Sequence, residues 1–270
     1  MDMIAALRAD AAAVLADGRA KMVIGYRALG LRRRPVFITD GKMAELLVYD
    51  AACTQNLAAY LRKSELKRFR PMAIVARPAV IRSLVVLAAE SQLKAEDVVV
   101  MAVGENEYHG IRDLAGATAL LKEKYPKLAP PQATLALLEK LASMTPEERA
   151  GFWRAEFAKC TRCYACRAAC PGCYCTRCIV EKNVPQWVPA AADAHGNYAW
   201  NVIRAFHQAG RCTLCGACEA ACPQGIPLMA LNVRIAQDVA EEFGVQPGDD
   251  PAAKPVIGSW SADDKEDFIR

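Results

Sequence analysis

A cysteine motif that occurs twice is the feature of this chain that most restricts how it can fold. The segments Cys160–Pro171 (CTRCYACRAACP) and Cys212–Pro223 (CTLCGACEAACP) are identical at nine of twelve positions. Each cysteine of the first copy has a counterpart 52 residues later, and eleven of the twelve cysteines lie between Cys160 and Cys222. This part of the chain must therefore fold around whatever its thiols bind.

The spacing of the motif separates three common uses of clustered cysteines. Disulfide frameworks belong to small secreted chains, and the segment MDMIAALRADAAAVLADG lacks the apolar stretch and cleavage site of a signal peptide. Structural zinc takes four ligands, commonly as two C-x2-C units. The pattern C-x2-C-x2-C-x3-C-P, present twice, is instead the signature of two-cluster ferredoxins. We therefore expect [4Fe–4S] clusters in a cytoplasmic protein.

The fourth cysteine of each copy is predicted to bind the cluster of the other copy. Three thiolates spaced by two residues surround one cubane, whereas the fourth lies too far along the chain, and the proline after it turns the backbone away. The predicted ligands of the first cluster are Cys160, Cys163, Cys166 and Cys222. The predicted ligands of the second cluster are Cys170, Cys212, Cys215 and Cys218.

Three further cysteines follow directly on the first copy of the motif. They are Cys173, Cys175 and Cys178, in the segment PGCYCTRC, and with the distant Cys53 they make the four thiolates that a third cubane needs. A zinc site, a loose group of thiols and ligand exchange with the first motif are the alternatives. For Cys53 the alternative is a small buried side chain.

Periodicity and prolines divide the chain into four regions and predict a two-domain α+β fold. Residues 1–125 are predicted to form an α/β domain with a partly parallel sheet. This domain either binds a neighbouring subunit or is a vestigial cofactor domain. Residues 126–159 read as a helical linker, and residues 160–243 as a mostly α-helical, two-cluster ferredoxin-type domain. Residues 244–270 read as an acidic extended tail, either solvated or laid across a partner subunit.

Local patterns place the individual elements. Predicted strands cover Lys21–Tyr26, Pro35–Thr39, Leu46–Tyr49, Met72–Ala76 and Val98–Val103. Predicted helices cover 3–17, Ala79–Gln92, Asp113–Tyr125, 132–143, 146–159, Tyr198–Gln208 and 228–243. On the helix between the two motifs, Trp200, Ile203 and Phe206 share one stripe.

Composition and charge exclude several functional classes. The chain is 53% hydrophobic and 24% charged, so it can bury a core, and no apolar run reaches the roughly 20 residues that span a bilayer. The net charge of +4 combines −6 from Asp238 onwards with +10 before it. Basic blocks at Arg32–Arg34 and Lys63–Arg70 show no aromatic interleaving beyond the single Phe69 and no recognition-helix pattern, so we expect no nucleic-acid partner.

The sequence offers no motif that would mark a catalytic residue. A G-x-G-x-x-G loop, a P-loop and a nucleophile elbow are all lacking. The histidines are few and dispersed, and surface or packing roles are expected for His109, His195 and His207. Three tryptophans near the cysteines are expected to shield clusters from water: Trp153, Trp187 and Trp200.

Both halves of the chain resemble known families. Residues Val23–Tyr26, Cys53–Leu61 and Met72–Gln92 resemble the N-terminal region of the coenzyme F420-reducing hydrogenase and formate dehydrogenase beta-subunit family. The second half is similar to dicluster modules fused to such regions in anaerobes, and its helical surroundings resemble the iron–sulfur subunits of fumarate reductase and heterodisulfide reductase. At Arg77–Arg82 and Gly104–Gly110, this chain departs from the family by lacking two expected cysteines.

The resemblance implies a non-catalytic electron-transfer subunit of a hetero-oligomeric, anaerobic redox complex. Such a subunit would relay single electrons between a flavin, hydrogenase or dehydrogenase partner and a heterodisulfide-reductase-like partner. One alternative is a flavin-binding α/β domain that reduces a small acceptor, although no phosphate-binding motif supports it. Another is an assembly scaffold whose metal sites are purely structural.

Overall fold

The computed structural model describes residues 2–128, 130–189 and 191–256. Its N-terminal part is built on one six-stranded mixed sheet. The strands are β1 (Met22–Leu29), β2 (Arg32–Ile38), β3 (Leu47–Val48), β4 (Met72–Ala76), β5 (Val98–Val103) and β6 (Tyr108–Arg112). The main order is β2-β1-β4-β5-β6, and β3 also pairs with β1.

The centre of the sheet is parallel and its flanks are antiparallel. Strand β4 runs parallel to both β1 and β5, whereas β2, β3 and β6 pair antiparallel with their neighbours. The five residues of β4 are all buried, as expected of a strand whose two faces are both covered. The predicted α/β domain with a partly parallel sheet is confirmed.

Three α-helices of the described residues pack on this sheet. They are α1 (Met3–Ala16), α2 (Pro78–Ala89) and α3 (Leu114–Lys124). Helix α2 connects β4 to β5 and contacts both, which completes the predicted βαβ unit, while α1 contacts β6. Sequence patterns missed β6 because its residues, YHGIR, contain a histidine, a glycine and an arginine and lack a strand-like apolar alternation. Its pairing with β5 is what makes it a strand.

The second half is helical, as predicted. Its helices are α4 (Gln132–Ala142), α5 (Pro146–Ala158), α6 (Ala165–Ala169), α7 (Ala194–Phe206), α8 (Ala217–Ala220) and α9 (Leu228–Phe243). Helix α5 begins with a capping box, in which the Thr145 hydroxyl accepts from the Glu148 N–H at 3.3 Å and the Glu148 carboxylate accepts from the Thr145 N–H at 2.8 Å. No helix in the described ranges combines the length and the apolar character needed to cross a membrane.

Helix α7 presents a different face to the interior from the one its sequence suggests. Of the apolar stripe, Trp200 is buried, but Phe206 is 60% exposed. The buried face is instead polar and repeats at helical spacing: Asn197, Asn201, Arg204 and, just beyond the helix, Gln208. Burying a polar helix face costs free energy unless its groups have interaction partners. Here the polar face points towards the cysteine motifs.

The start of the predicted tail packs against the α/β domain. Pro247 and Gly248 are buried, and the buried guanidinium of Arg82 binds the carboxylate of Asp249 and donates to the carbonyl oxygen of Tyr125 at 2.8 Å. Residues 245–249 are therefore part of the fold. The remainder of the predicted tail from residue 257, including Trp260, lies outside the described residues.

Replacing Gly248 by alanine should detach this segment. Gly248 has φ +82°, and an added Cβ would lie 2.6 Å from Cβ and 2.7 Å from Cα of Arg82. We expect Gly248→Ala to cost about 2 kcal/mol or more, from backbone strain plus the clash. Gly244→Ala is the matched control, because Gly244 also has positive φ (+64°) but nothing within 4 Å. Thermal unfolding should give a clearly lower midpoint for Gly248→Ala, and equal midpoints would contradict this packing.

Candidate metal centre

The internal repeat of the sequence is also a repeat of backbone conformation. Arg162 and Leu214, at equivalent positions, have φ of +56° and +52°, and the equivalent Tyr164 and Gly216 have φ of +59° and +76°. Three of these four residues carry side chains, so the left-handed conformation costs energy and must be held by its surroundings. In the first copy, this turn lets the Arg162 N–H donate to Cys160 Sγ at 3.4 Å.

A first cavity in this region is lined by the four thiols predicted for the first cluster. Cys160, Cys163, Cys166 and Cys222 surround it. Cys160 and Cys163 come from the loop before α6, Cys166 comes from α6 itself, and Cys222 comes from the end of the second copy. The indole of Trp200 and the side chains of Ile226 and Leu228 form much of the remaining wall, which keeps the space apolar.

The second cavity is lined by the four thiols predicted for the second cluster. Cys170, Cys212, Cys215 and Cys218 surround it, so the fourth cysteine of each copy faces the cavity of the other copy. The side-chain amide of Asn232, on α9, donates to Cys218 Sγ at 3.7 Å. Among the described residues, no three His, Cys, Asp or Glu side chains converge closely enough for a single metal ion.

Burial opposes ionisation of these thiols. It raises the pKa of Cys166 and of Cys218 to about 11, with the nearby Arg204 guanidinium acting in the opposite direction. Burial likewise raises the pKa of Cys212 well above its usual range. Thiolates at these positions therefore need positive charge bound beside them, which the iron of a cluster supplies.

The guanidinium of Arg204 lines the second cavity, reaches Cys166 of the first, and has no carboxylate partner among the described residues. It is 4% exposed, it interacts electrostatically with Cys166, Cys170 and Cys218, and it donates to the Cys166 carbonyl oxygen at 3.3 Å. Its Nε is buried without a hydrogen-bond partner, and no ion pair in the described ranges includes it. A buried cation is stable only beside buried negative charge, and thiolates that bind iron would provide that charge.

The α/β domain contacts the loop of the second cavity directly. Arg77, at the start of α2, donates to the carbonyl oxygen of Cys215 at 2.7 Å and to that of Thr54 at 3.0 Å. Next to it, the hydroxyls of Ser83 and Thr213 are hydrogen-bonded at 2.8 Å. The second cavity is therefore closed partly by residues of the N-terminal half, and the first is not.

The four cysteines that the sequence suggested for a third cluster lie in two places. Cys173, Cys175 and Cys178 line a third cavity beside the second one. Cys53 lies apart from them in the core of the α/β domain, with its Sγ 3.9 Å from an Asp50 carboxylate oxygen, and burial raises its pKa to about 11. Of the three tryptophans, Trp200 lines the first cavity, whereas Trp187 is half exposed.

Sequence patterns missed the polar side chains that surround the cysteines. Arg204, Gln208 and Asn232 are all buried and close to thiols, yet none belongs to a motif. The recurrence of Asn197, Asn201, Arg204 and Gln208 at helical spacing was the available signal. It could indicate a polar helix face, but not that this face is buried.

Comparisons with known proteins agree with this arrangement. Residues 159–227 match the family of 4Fe-4S dicluster domains. The chain is 32% identical over 106 residues to the F420-dependent formate dehydrogenase subunit beta of Methanocaldococcus jannaschii, and likewise to F420-dependent formate dehydrogenase 1 subunit beta of Methanococcus maripaludis. Each match covers 39% of this chain and 27% of the relative, so the chain spans about a quarter of the length of these curated relatives.

These findings define the class of protein. The chain carries a 4Fe-4S dicluster domain, and it is homologous in part to a formate dehydrogenase beta subunit, as the sequence resemblance indicates. The prediction of an iron–sulfur protein of the electron-transfer class is confirmed. The [4Fe–4S] type of centre is confirmed with it.

Proposed function

We propose that this chain is the relay subunit of a redox complex and carries single electrons through two [4Fe–4S] clusters. The observation that carries the proposal is the pair of neighbouring cavities, each lined by four cysteines of a dicluster domain. The first cluster would be held by Cys160, Cys163, Cys166 and Cys222. The second would be held by Cys170, Cys212, Cys215 and Cys218.

Bound clusters of this type accept and donate one electron at a time. The protein would hold the clusters in position, shield them from water and place charged side chains beside them. Arg204 lies between the two sites, where its positive charge favours the reduced state of both. Trp200 excludes water from the first site, and Arg77 ties the second site to the α/β domain. These contacts support electron entry or exit on the side of that domain.

The partners are proposed from the class of the relatives. A beta subunit of a formate dehydrogenase works with other subunits, so we propose a cytoplasmic hetero-oligomer with a flavoprotein, hydrogenase or dehydrogenase on one side. On the other side we propose a heterodisulfide-reductase-like acceptor.

Reductive titration of the anaerobically purified chain tests the relay. We expect EPR signals of reduced [4Fe–4S] clusters to grow in reversibly as the potential is lowered, within the range of roughly −700 to +450 mV known for such centres. Clusters that cannot be reduced in this range would leave only a structural role and would refute the proposal.

A second candidate function, a flavin-dependent reduction, is favoured by one observation. A cavity of about 400 Å³ lies beside Cys170 and Cys173 and is lined by three cationic side chains, Arg62, Lys63 and Arg167. Its size is within the range of cofactor sites, and its cations suit phosphate groups. Stoichiometric flavin in the purified chain would support this candidate, and purified chain without flavin that still takes up electrons would favour the relay.

A further inference from the structure

We propose that Cys173, Cys175, Cys178 and His207 bind a third iron–sulfur cluster next to the second one. The inference rests on the proposed relay for its role, because a third centre would lengthen that relay. Its four ligands are residues that the two proposed clusters do not use.

All four side chains line one cavity, although they come from two separated segments. The cysteines lie on the loop that follows α6, and His207 caps the end of α7. The cavity measures about 50 Å³, against about 20 Å³ for each of the two cavities of the dicluster domain. The third cavity is therefore at least as large as each of the two cavities that the repeated cysteine motifs line.

Aromatic and cationic side chains hold the cysteine loop in place from both halves of the chain. The ring of Tyr174, between Cys173 and Cys175, has the guanidinium carbons of Arg62 and Arg211 at 4.6 and 4.9 Å from its centroid. Arg62 also donates to the Tyr174 carbonyl oxygen at 3.0 Å. A loop anchored in this way can present its thiols in one arrangement, as a metal site requires.

The charges around the cavity suit an anionic centre. Arg167, Arg204 and Arg211 all line it. Arg167 is paired with Glu181 at 2.7 Å and Arg211 with Glu90 at 2.8 Å, but Arg204 lacks a carboxylate partner among the described residues. A thiolate-bound cluster here would place negative charge on the remaining side of Arg204.

One amide side chain joins the third cavity to the second. Gln208 donates from Nε2 to Cys173 Sγ at 3.5 Å, and its Oε1 lies 3.6 Å from Cys170 Sγ. Centres ligated by these two cysteines would be neighbours, which is why we choose a redox cluster rather than zinc, although three cysteines and one histidine can also bind zinc. His207 is chosen over Cys53 as the fourth ligand because His207 lines the cavity and Cys53 lies in the sheet core.

Iron, sulfide and zinc per chain, measured with EPR on the anaerobically purified protein, test the inference. We expect about twelve irons in the wild type, four for each cubane, and about eight in Cys175→Ser with the other two clusters' signals retained. Those retained signals show that the variant has folded. About eight irons in the wild type, with or without one zinc, would overturn the third cluster while leaving the relay intact. Fewer than eight would count against the relay itself.

Two further variants test the fourth ligand. His207→Ala should lose the third cluster or change its EPR signal, and Cys53→Ser should do neither. His195→Ala is the matched control, since His195 lies exposed at the other end of the same helix. Loss of four irons in Cys53→Ser with none in His207→Ala would overturn the assignment of His207, and twelve irons in Cys175→Ser would overturn the cysteine set.

Discussion

Cys170→Ser is expected to remove the same cluster as Cys212→Ser, although Cys170 belongs to the first copy of the motif and Cys212 to the second. The reason is that Cys170 lines the cavity of Cys212, Cys215 and Cys218. By the same logic, Cys222→Ser should remove the same cluster as Cys160→Ser. Each variant loses about four irons, because serine is a poor ligand for iron in a cubane.

The measurement is a comparison of the EPR spectra that survive in the four reduced variants. Cys170→Ser and Cys212→Ser should share one residual spectrum, while Cys160→Ser and Cys222→Ser should share the other. Each pair serves as the control for the other pair, since all four variants lose one buried or half-buried thiol. A residual spectrum of Cys170→Ser that matches Cys160→Ser would show that each copy ligates its own cluster.

Arg204→Met is expected to lower the reduction potentials of both clusters. Reduction adds an electron to a site that is already negative, and the buried guanidinium of Arg204 stabilises that added charge. With an effective dielectric constant of about 20 and a separation of about 7 Å, the interaction is worth roughly 2 kcal/mol, which corresponds to a shift on the order of 100 mV. This is a large change for one side chain that binds no iron.

Two other variants isolate the effect of the charge. Arg204→Lys keeps a cation in the same place and should restore most of the potential. Arg234→Met removes an exposed arginine of α9 that pairs with Asp238 at 2.7 Å, and solvent screening should leave the potentials unchanged. Potentiometric titration followed by EPR measures both clusters. A lysine variant as low in potential as the methionine variant would show that positive charge at this position is not the cause.

The class of the cysteine site and the type of fold could be predicted from the sequence. Ligand spacing in a short loop is a local property, so the two C-x2-C-x2-C-x3-C-P segments indicate which thiols can reach one cubane before any fold is known. The apolar runs at Met72–Ala76 and Val98–Val103, separated by a helical pattern, likewise predict a parallel βαβ unit. Each of these signals is carried by a short, continuous run of residues.

The surroundings of the cysteines could not be predicted, because they depend on contacts between distant segments. The face of α7 that carries Arg204 and Gln208 is polar, and helical patterns assign polar faces to solvent. Only the folded chain shows that this face is buried against thiols. In the same way, only the fold places Arg77 of the α/β domain on the Cys215 carbonyl oxygen and His207 beside three cysteines.

The sequence by itself determined that this chain joins a 4Fe-4S dicluster domain to an α/β domain, because short-range spacing and periodicity encode both. The tertiary structure decided what surrounds each site: a buried arginine between two cavities, a third cavity next to the second, and a C-terminal segment packed on Arg82. The physical reason is that the burial of a side chain and the charges around it depend on which segments are in contact in space. Those contacts follow from the packing of the whole chain.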